Sequence, residues 1–141
     1  MNSGIPFPNR DFDAIERIYA AINRFDLAAA AAHFDPDILW IEPPDFPTPG
    51  VRHGIVAAVA HIENGRGTWA EGACEIEGIF AGESRIVVYL RAHVRLEGQT
   101  EWIDGRFADG WIFRGGKAIE VRNFARREDA LAWAGIRPSP G

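Results

Sequence analysis

Apolar and polar positions alternate along this chain in two periods, and the period changes once. From Asp11, the apolar residues Phe12, Ile15, Tyr19 and Ile22 recur at three- and four-residue steps, with Asp13 and Glu16 spaced as in a capping box. The spacing predicts a helix ending near Arg24. Residues 1–10, which carry Pro6, Pro8 and Gly4, read as a loose lead-in. Asp26 is placed to cap a second short helix from Leu27 to Phe34, ended by Asp35-Pro36-Asp37. A short strand, Ile38 to Ile41, leads into Glu42 and the run PPDFPTPG, too rich in proline for a helix or a central strand and suited to rimming a pocket. Gly54 to Glu63 reads as a third helix with Ile55, Val59 and Ile62 on one stripe, stopped by Asn64-Gly65.

The period then becomes two. Gly72 to Phe80 is a weak, acidic strand. Arg85 to Leu96 alternates cleanly, with Ile86, Val88, Leu90, Ala92, Val94 and Leu96 on one face and Tyr89, Arg91, His93 and Arg95 on the other. Glu101 to Phe113 and Ala118 to Phe124 form a hairpin about Gly115-Gly116, and a short helix spans 127–135. Helices first and long strands afterwards argue for one α+β domain over residues 1–141, its helices packed on one face of a cone-shaped, curved antiparallel sheet whose open end would form a pocket.

Composition narrows the partners. With 47% hydrophobic and 11% aromatic residues the chain can fill a core, and a net charge of -5 with a pI near 5.3 supplies no basic field for nucleic acid. Cys74 is alone, so neither a disulfide framework nor a multi-cysteine metal site is expected, and no apolar run is long enough for a membrane span. A cytoplasmic protein is expected. There is no phosphate loop, dinucleotide fingerprint, nucleophile elbow or H-x-x-x-H pair, so no metal and no cofactor are called for.

Candidate chemistry rests on carboxylates. Alternation puts Ile103, Gly105, Phe107, Asp109, Trp111 and Phe113 on one face, leaving an acid among aromatics. Such an acid is hydrogen-bonded, paired with a cation such as Arg91, or protonated, unless a one-residue slip turns it outward. Glu42 shares a face with Trp40 and is either a general base or a strand-end carboxylate bonding loop amides. Asn123 points to the same side as Val121. Tyr19, Trp40, Phe46, Phe107 and Trp111 line a pocket or fill the core. His53, at the rim, and His93 are candidate proton carriers or ordinary salt-bridged residues, and His33 and His61 read as plain helix positions.

Four stretches together resemble the nuclear transport factor 2-like superfamily, in particular SnoaL-like polyketide cyclases and ketosteroid isomerases. They are the opening helix to Arg24-Phe25-Asp26, His33 to Ile38, Val51-Arg52-His53-Gly54, and Asp109 to Phe124. The resemblance implies a cystatin-like α+β barrel and a homodimer paired through the outer sheet face. It also implies a small apolar ligand with a carbonyl or hydroxyl group, handled by general acid/base chemistry of the isomerase, cyclase or dehydratase type, or merely bound by an accessory protein. It places Asp109 at the acid of the isomerase oxyanion hole, or at the SnoaL-like acid/base, and Glu42 beside the general base. The isomerase tyrosine falls on Ile18, one residue before Tyr19 and about 100° away around the helix. Limonene-epoxide hydrolases, similar in the same hairpin, carry a carboxylate where this chain has Asn123.

Overall fold

The computed structural model describes residues 9–137. They form α1 (Asn9–Asn23), α2 (Leu27–Ala31), β1 (Phe34–Glu42), β2 (Gly50–His53), α3 (Ile55–Arg66), β3 (Trp69–Ala81), β4 (Ile86–Leu96), β5 (Trp102–Arg114), β6 (Lys117–Phe124) and α4 (Arg127–Ala134). The strands make one curved, open sheet in the order β2-β1-β6-β5-β4-β3, antiparallel throughout except where β1 runs parallel to β6. This is the α+β architecture that the change of period predicts.

The clean alternation of β4 buries Ile86, Val88 and Leu90 against Ile15, Ile18 and Tyr19 of α1, with Trp111 and Val121 completing the layer. Its other face is not wholly polar. Val87 and Ala108 meet Ala130, Leu131 and Ala134, so α4 covers the opposite side of the sheet from α1 and α3. Gly110 permits this approach, since a Cβ there would lie 2.5 Å from the Trp133 ring. The expected packing of the N-terminal helices on one face is met, and α4 adds a cover on the other.

Several boundaries also differ, β3 among them, which starts at Trp69 rather than Gly72. β1 begins at Phe34, because Pro36 sits where the β1/β6 register shifts and no ladder bond is required of it. The rim segment Gly50–His53 is a true edge strand paired with β1. Helix α3 continues through Asn64-Gly65 to Arg66, where Arg66 donates from Nε to Ile22 O (2.9 Å) and from Nη2 to Asn23 O (2.8 Å), satisfying carbonyls at the end of α1. Asn23 exchanges two bonds of 2.9 Å with the Cys74 backbone. Those ties fix α1 over the sheet and so aim Tyr19.

Candidate functional site

Strand pairing sets the floor of the site. Asp109 on β5 lies opposite Val88 of β4 and Asn123 of β6, and Trp40 on β1 lies beside Val121 of β6. Side chains of one parity on three neighbouring strands therefore converge below α1. Asp109 is 3% exposed, and burial of a carboxylate without partners would cost several kcal/mol. It has partners. Tyr19 donates its hydroxyl to Oδ2 at 2.5 Å, and Asn123 donates Nδ2 to Oδ1 at 2.8 Å. Each donor is itself held, because Trp111 Nε1 donates to the Tyr19 hydroxyl (3.0 Å) and Trp40 Nε1 donates to Asn123 Oδ1 (3.2 Å). Trp40 and Trp111 meet edge to face with centroids 6.0 Å apart.

Burial pushes the Asp109 carboxyl up to about 6, against the lowering effect of the Tyr19 and Asn123 bonds and with a further upward push from the Glu42 charge. The same burial, reinforced by Asp109, raises the Tyr19 phenol well above its ordinary value, so it stays a donor. The acid is thus arranged as a hydrogen-bonded carboxylate that gains a proton close to neutrality.

A second polar group stands on the neighbouring wall. Glu42, 9% exposed, accepts from Thr48 N and Thr48 Oγ1 at 2.7 Å each through Oε2, and its Oε1 lies 3.1 Å from His61 Nε2. Burial and then the Arg52 charge hold His61 below its ordinary value, while Glu42 pulls the other way. Both groups border a cavity of about 510 Å³, bounded by Tyr19, Trp40, Glu42, Phe46, His61, Cys74, Phe107, Asp109 and Asn123, with half-buried Arg52, Arg66 and Trp69 also in its lining. Burial, with Asp109 adding, pushes the Cys74 thiol up to about 12, leaving it an inert wall.

Of the residues singled out from sequence, Asp109, Glu42, Tyr19, Trp40, Phe46, Phe107 and Asn123 border this one cavity. Trp111 stands behind them at 0% exposure and acts through Tyr19. Arg91 is not the partner of Asp109, since it pairs with Asp104 on the outer face. His53 does not reach the cavity: alternation on β2 sends Arg52 inward and His53 outward, where its exposed ring lies 3.8 Å from Asp37. His93 stacks on Trp102 with centroids 4.7 Å apart, also outside. The hydroxyl of Tyr19 reaches the acid, one residue after Ile18, where the resemblance to ketosteroid isomerases implies a tyrosine.

A family model described as the SnoaL-like domain matches residues 15–121, about three quarters of the chain. The chain belongs to the SnoaL-like domain family. Solved structures place this SnoaL-like chain among nuclear transport factor 2-like folds. A protein of unknown function from Burkholderia pseudomallei described as NTF2-like is 21% identical, with 89% of this chain and 97% of that chain covered and a TM-score of 0.73. A putative SnoaL-like polyketide cyclase from a Jannaschia species is 14% identical, with 98% and 100% covered and a TM-score of 0.75. TerC, crystallised with polyporic acid, is 18% identical, with 89% and 97% covered and a TM-score of 0.72. No curated protein matches the chain.

His61 is one of the site residues that sequence reasoning missed in this SnoaL-like domain, along with Arg52 and Cys74. The partner of His61 lies 19 positions away on another element, and its place beside Ile62 on the inner side of α3 was the one available signal. Among the described residues, no group of three His, Cys, Asp or Glu is placed to hold a metal, and no helix is long and apolar enough to cross a membrane.

Proposed function

We propose that the cavity is a proton-transfer site, in which Asp109 takes a proton from a carbon next to a carbonyl group and returns it elsewhere on the same compound. The ligand is small and largely apolar, matched to walls of Trp40, Phe46 and Phe107. The observation that carries this reading is a buried carboxylate at the cavity floor, held ionised by two donors yet pushed up to about 6. A group of that acidity gains or loses a proton near neutral pH at little cost, which suits a general acid/base. Isomerisation, aldol-type cyclisation and dehydration all need this step, and none needs a cofactor to perform it.

The remaining groups divide the work. Tyr19 and Asn123 position Asp109 and hold its charge, and Trp111 and Trp40 position them in turn. Glu42, with Thr48 on one oxygen and His61 on the other, is better suited to orienting His61 and the 43–49 loop than to abstracting a proton itself. His61 then faces developing charge on the substrate oxygen from the wall across Trp40, whose ring centroid lies 6.2 Å from its own.

The test needs no knowledge of the natural substrate. Steroidal, polycyclic and monoterpenoid ketones are incubated with the protein in deuterated water, and loss of α-proton signals is followed by NMR. Wild type should accelerate exchange of at least one ketone, and Asp109→Asn should slow it by about 10²-fold or more. Equal rates with the two proteins would refute the reading.

A pocket that only holds its ligand is the second reading, supported by the fact that every oxygen of Asp109 and Glu42 already has a partner. In that case Asp109→Leu would keep ligand affinity, even though it leaves the Tyr19 and Asn123 donors without their acceptor.

A further inference from the structure

Most arginines whose partners are seen on the sheet are paired with carboxylates: Arg91 with Asp104, Arg95 with Glu71, Arg106 and Arg127 with Glu77, and Arg122 with Glu120. The two that border the cavity, Arg52 and Arg66, have no carboxylate within ion-pair distance among the described residues. Arg66 is taken up by the carbonyls of Ile22 and Asn23 and lies 4.9 Å from the ring centroids of Phe25 and Trp69. Arg52 is different. It sits directly across from Trp40 in the β1/β2 register and so shares the inward face. Its Nη1 donates to Thr48 O (2.7 Å) and Gly50 O (3.4 Å), which fixes the guanidinium beside the 43–49 loop, and among the described residues its Nε and Nη2 make no hydrogen bond. Glu42, the carboxylate on the same inward face, is turned to Thr48 and His61 instead.

The cavity is therefore lined by two unlike groups, a half-buried guanidinium from the edge strand β2 and the 3%-exposed carboxylate of Asp109, with apolar side chains also in its walls. Holding the 43–49 loop to β2 accounts for Nη1 alone. The donors left over form the planar fork that matches a carboxylate. An anion set against Asp109 would meet that carboxylate's own charge, so Arg52 is the group beside which an acidic end of the ligand is stabilised.

We infer that Arg52 anchors a carboxylate of the ligand, and that the compound taken by the pocket is an apolar keto acid, its acid end at the rim and its ketone end over Asp109. The ketone end rests on the proton-transfer reading, while the carboxylate contact rests on Arg52 independently of it.

The probes are β-benzoylpropionate and its methyl ester, which share the ketone and the aromatic body. Calorimetry measures binding to wild type, Arg52→Gln and Arg52→Lys, and NMR in deuterated water follows α-proton exchange in the same samples with Asp109→Asn added. Wild type should bind the acid about 10- to 100-fold more tightly than the ester. Arg52→Gln should abolish that preference, Arg52→Lys should keep part of it, and added salt should shrink it. The inference is overturned if acid and ester bind wild type equally, if Arg52→Gln weakens both alike, or if neither binds. If the preference for the acid depends on Arg52 but wild type exchanges no α-proton, the anchor stands and the proton-transfer reading falls. If exchange needs Asp109 but acid and ester bind alike, the proton-transfer reading stands and the anchor falls.

Discussion

Asp109 should make this protein less stable as the pH rises from about 4 to about 6, and Asp109→Asn should remove that part of the slope. In the unfolded chain the carboxyl titrates near 3.8, and in the folded protein burial pushes it up to about 6. Between those values the native state keeps a proton that the unfolded chain has released, so raising the pH favours unfolding. The gap is about two powers of ten in acidity, each worth about 1.4 kcal/mol, which gives about 3 kcal/mol lost across the window and nothing further above it. The assay is denaturant unfolding of both proteins at several pH values from 4 to 8, read as the difference between them. Several titratable or charged groups face the same cavity, namely Tyr19, Glu42, Arg52, His61, Arg66 and Cys74. Tyr19 and Cys74 are pushed far above the window, and the arginines stay charged throughout. Glu42 and His61 are common to both proteins and largely cancel in the comparison. Parallel stability curves would refute the argument, and so would a wild type that gains on the variant as the pH rises from 4 to 6.

Tyr19→Phe removes one of two donors to the carboxylate and leaves Trp111 Nε1 buried without its acceptor. The Asp109 midpoint should move upward by about one pH unit, and stability should fall by about 1–3 kcal/mol, both read from the same unfolding series. Glu42→Gln takes a charged acceptor from Thr48 N, so hydrogen exchange at that amide should quicken by about tenfold or more; an unchanged rate would show that the loop is held by other contacts. Trp111→Ala empties the most voluminous of the fully buried side-chain positions and should cost about 3–5 kcal/mol in chemical denaturation.

What could be read from the sequence followed how local each signal was. Period two alone brought Asp109 onto one face with Phe107 and Trp111, and the stripe through Ile15, Tyr19 and Ile22 already turned Tyr19 toward the sheet. The resemblance places the isomerase tyrosine on Ile18, but both residues are buried, and it is Tyr19, on a helix tied down through Asn23 and Arg66, whose hydroxyl meets the acid. Strand β2 escaped notice because Gly50, Val51 and His53 are exposed at an edge and show no apolar alternation. His61 and Glu42, and likewise Arg52 and Trp40, are joined only by tertiary structure.

The single parallel contact, β1 beside β6, has a consequence for assembly. Trp40 and Asn123 are bonded across 83 positions, whereas the neighbouring β4, β5 and β6 are joined by short turns. Loop-closure entropy favours formation of the local meander first and leaves the long-range closure as a separate, slower event. Until it occurs Trp40 has no acceptor and Asn123 Oδ1 no donor, so a partly folded chain would hold a nearly complete sheet and an unfinished floor. Refolding experiments should accordingly recover strand signal before ligand binding, with the interval between them reporting the time the first strand takes to find the last.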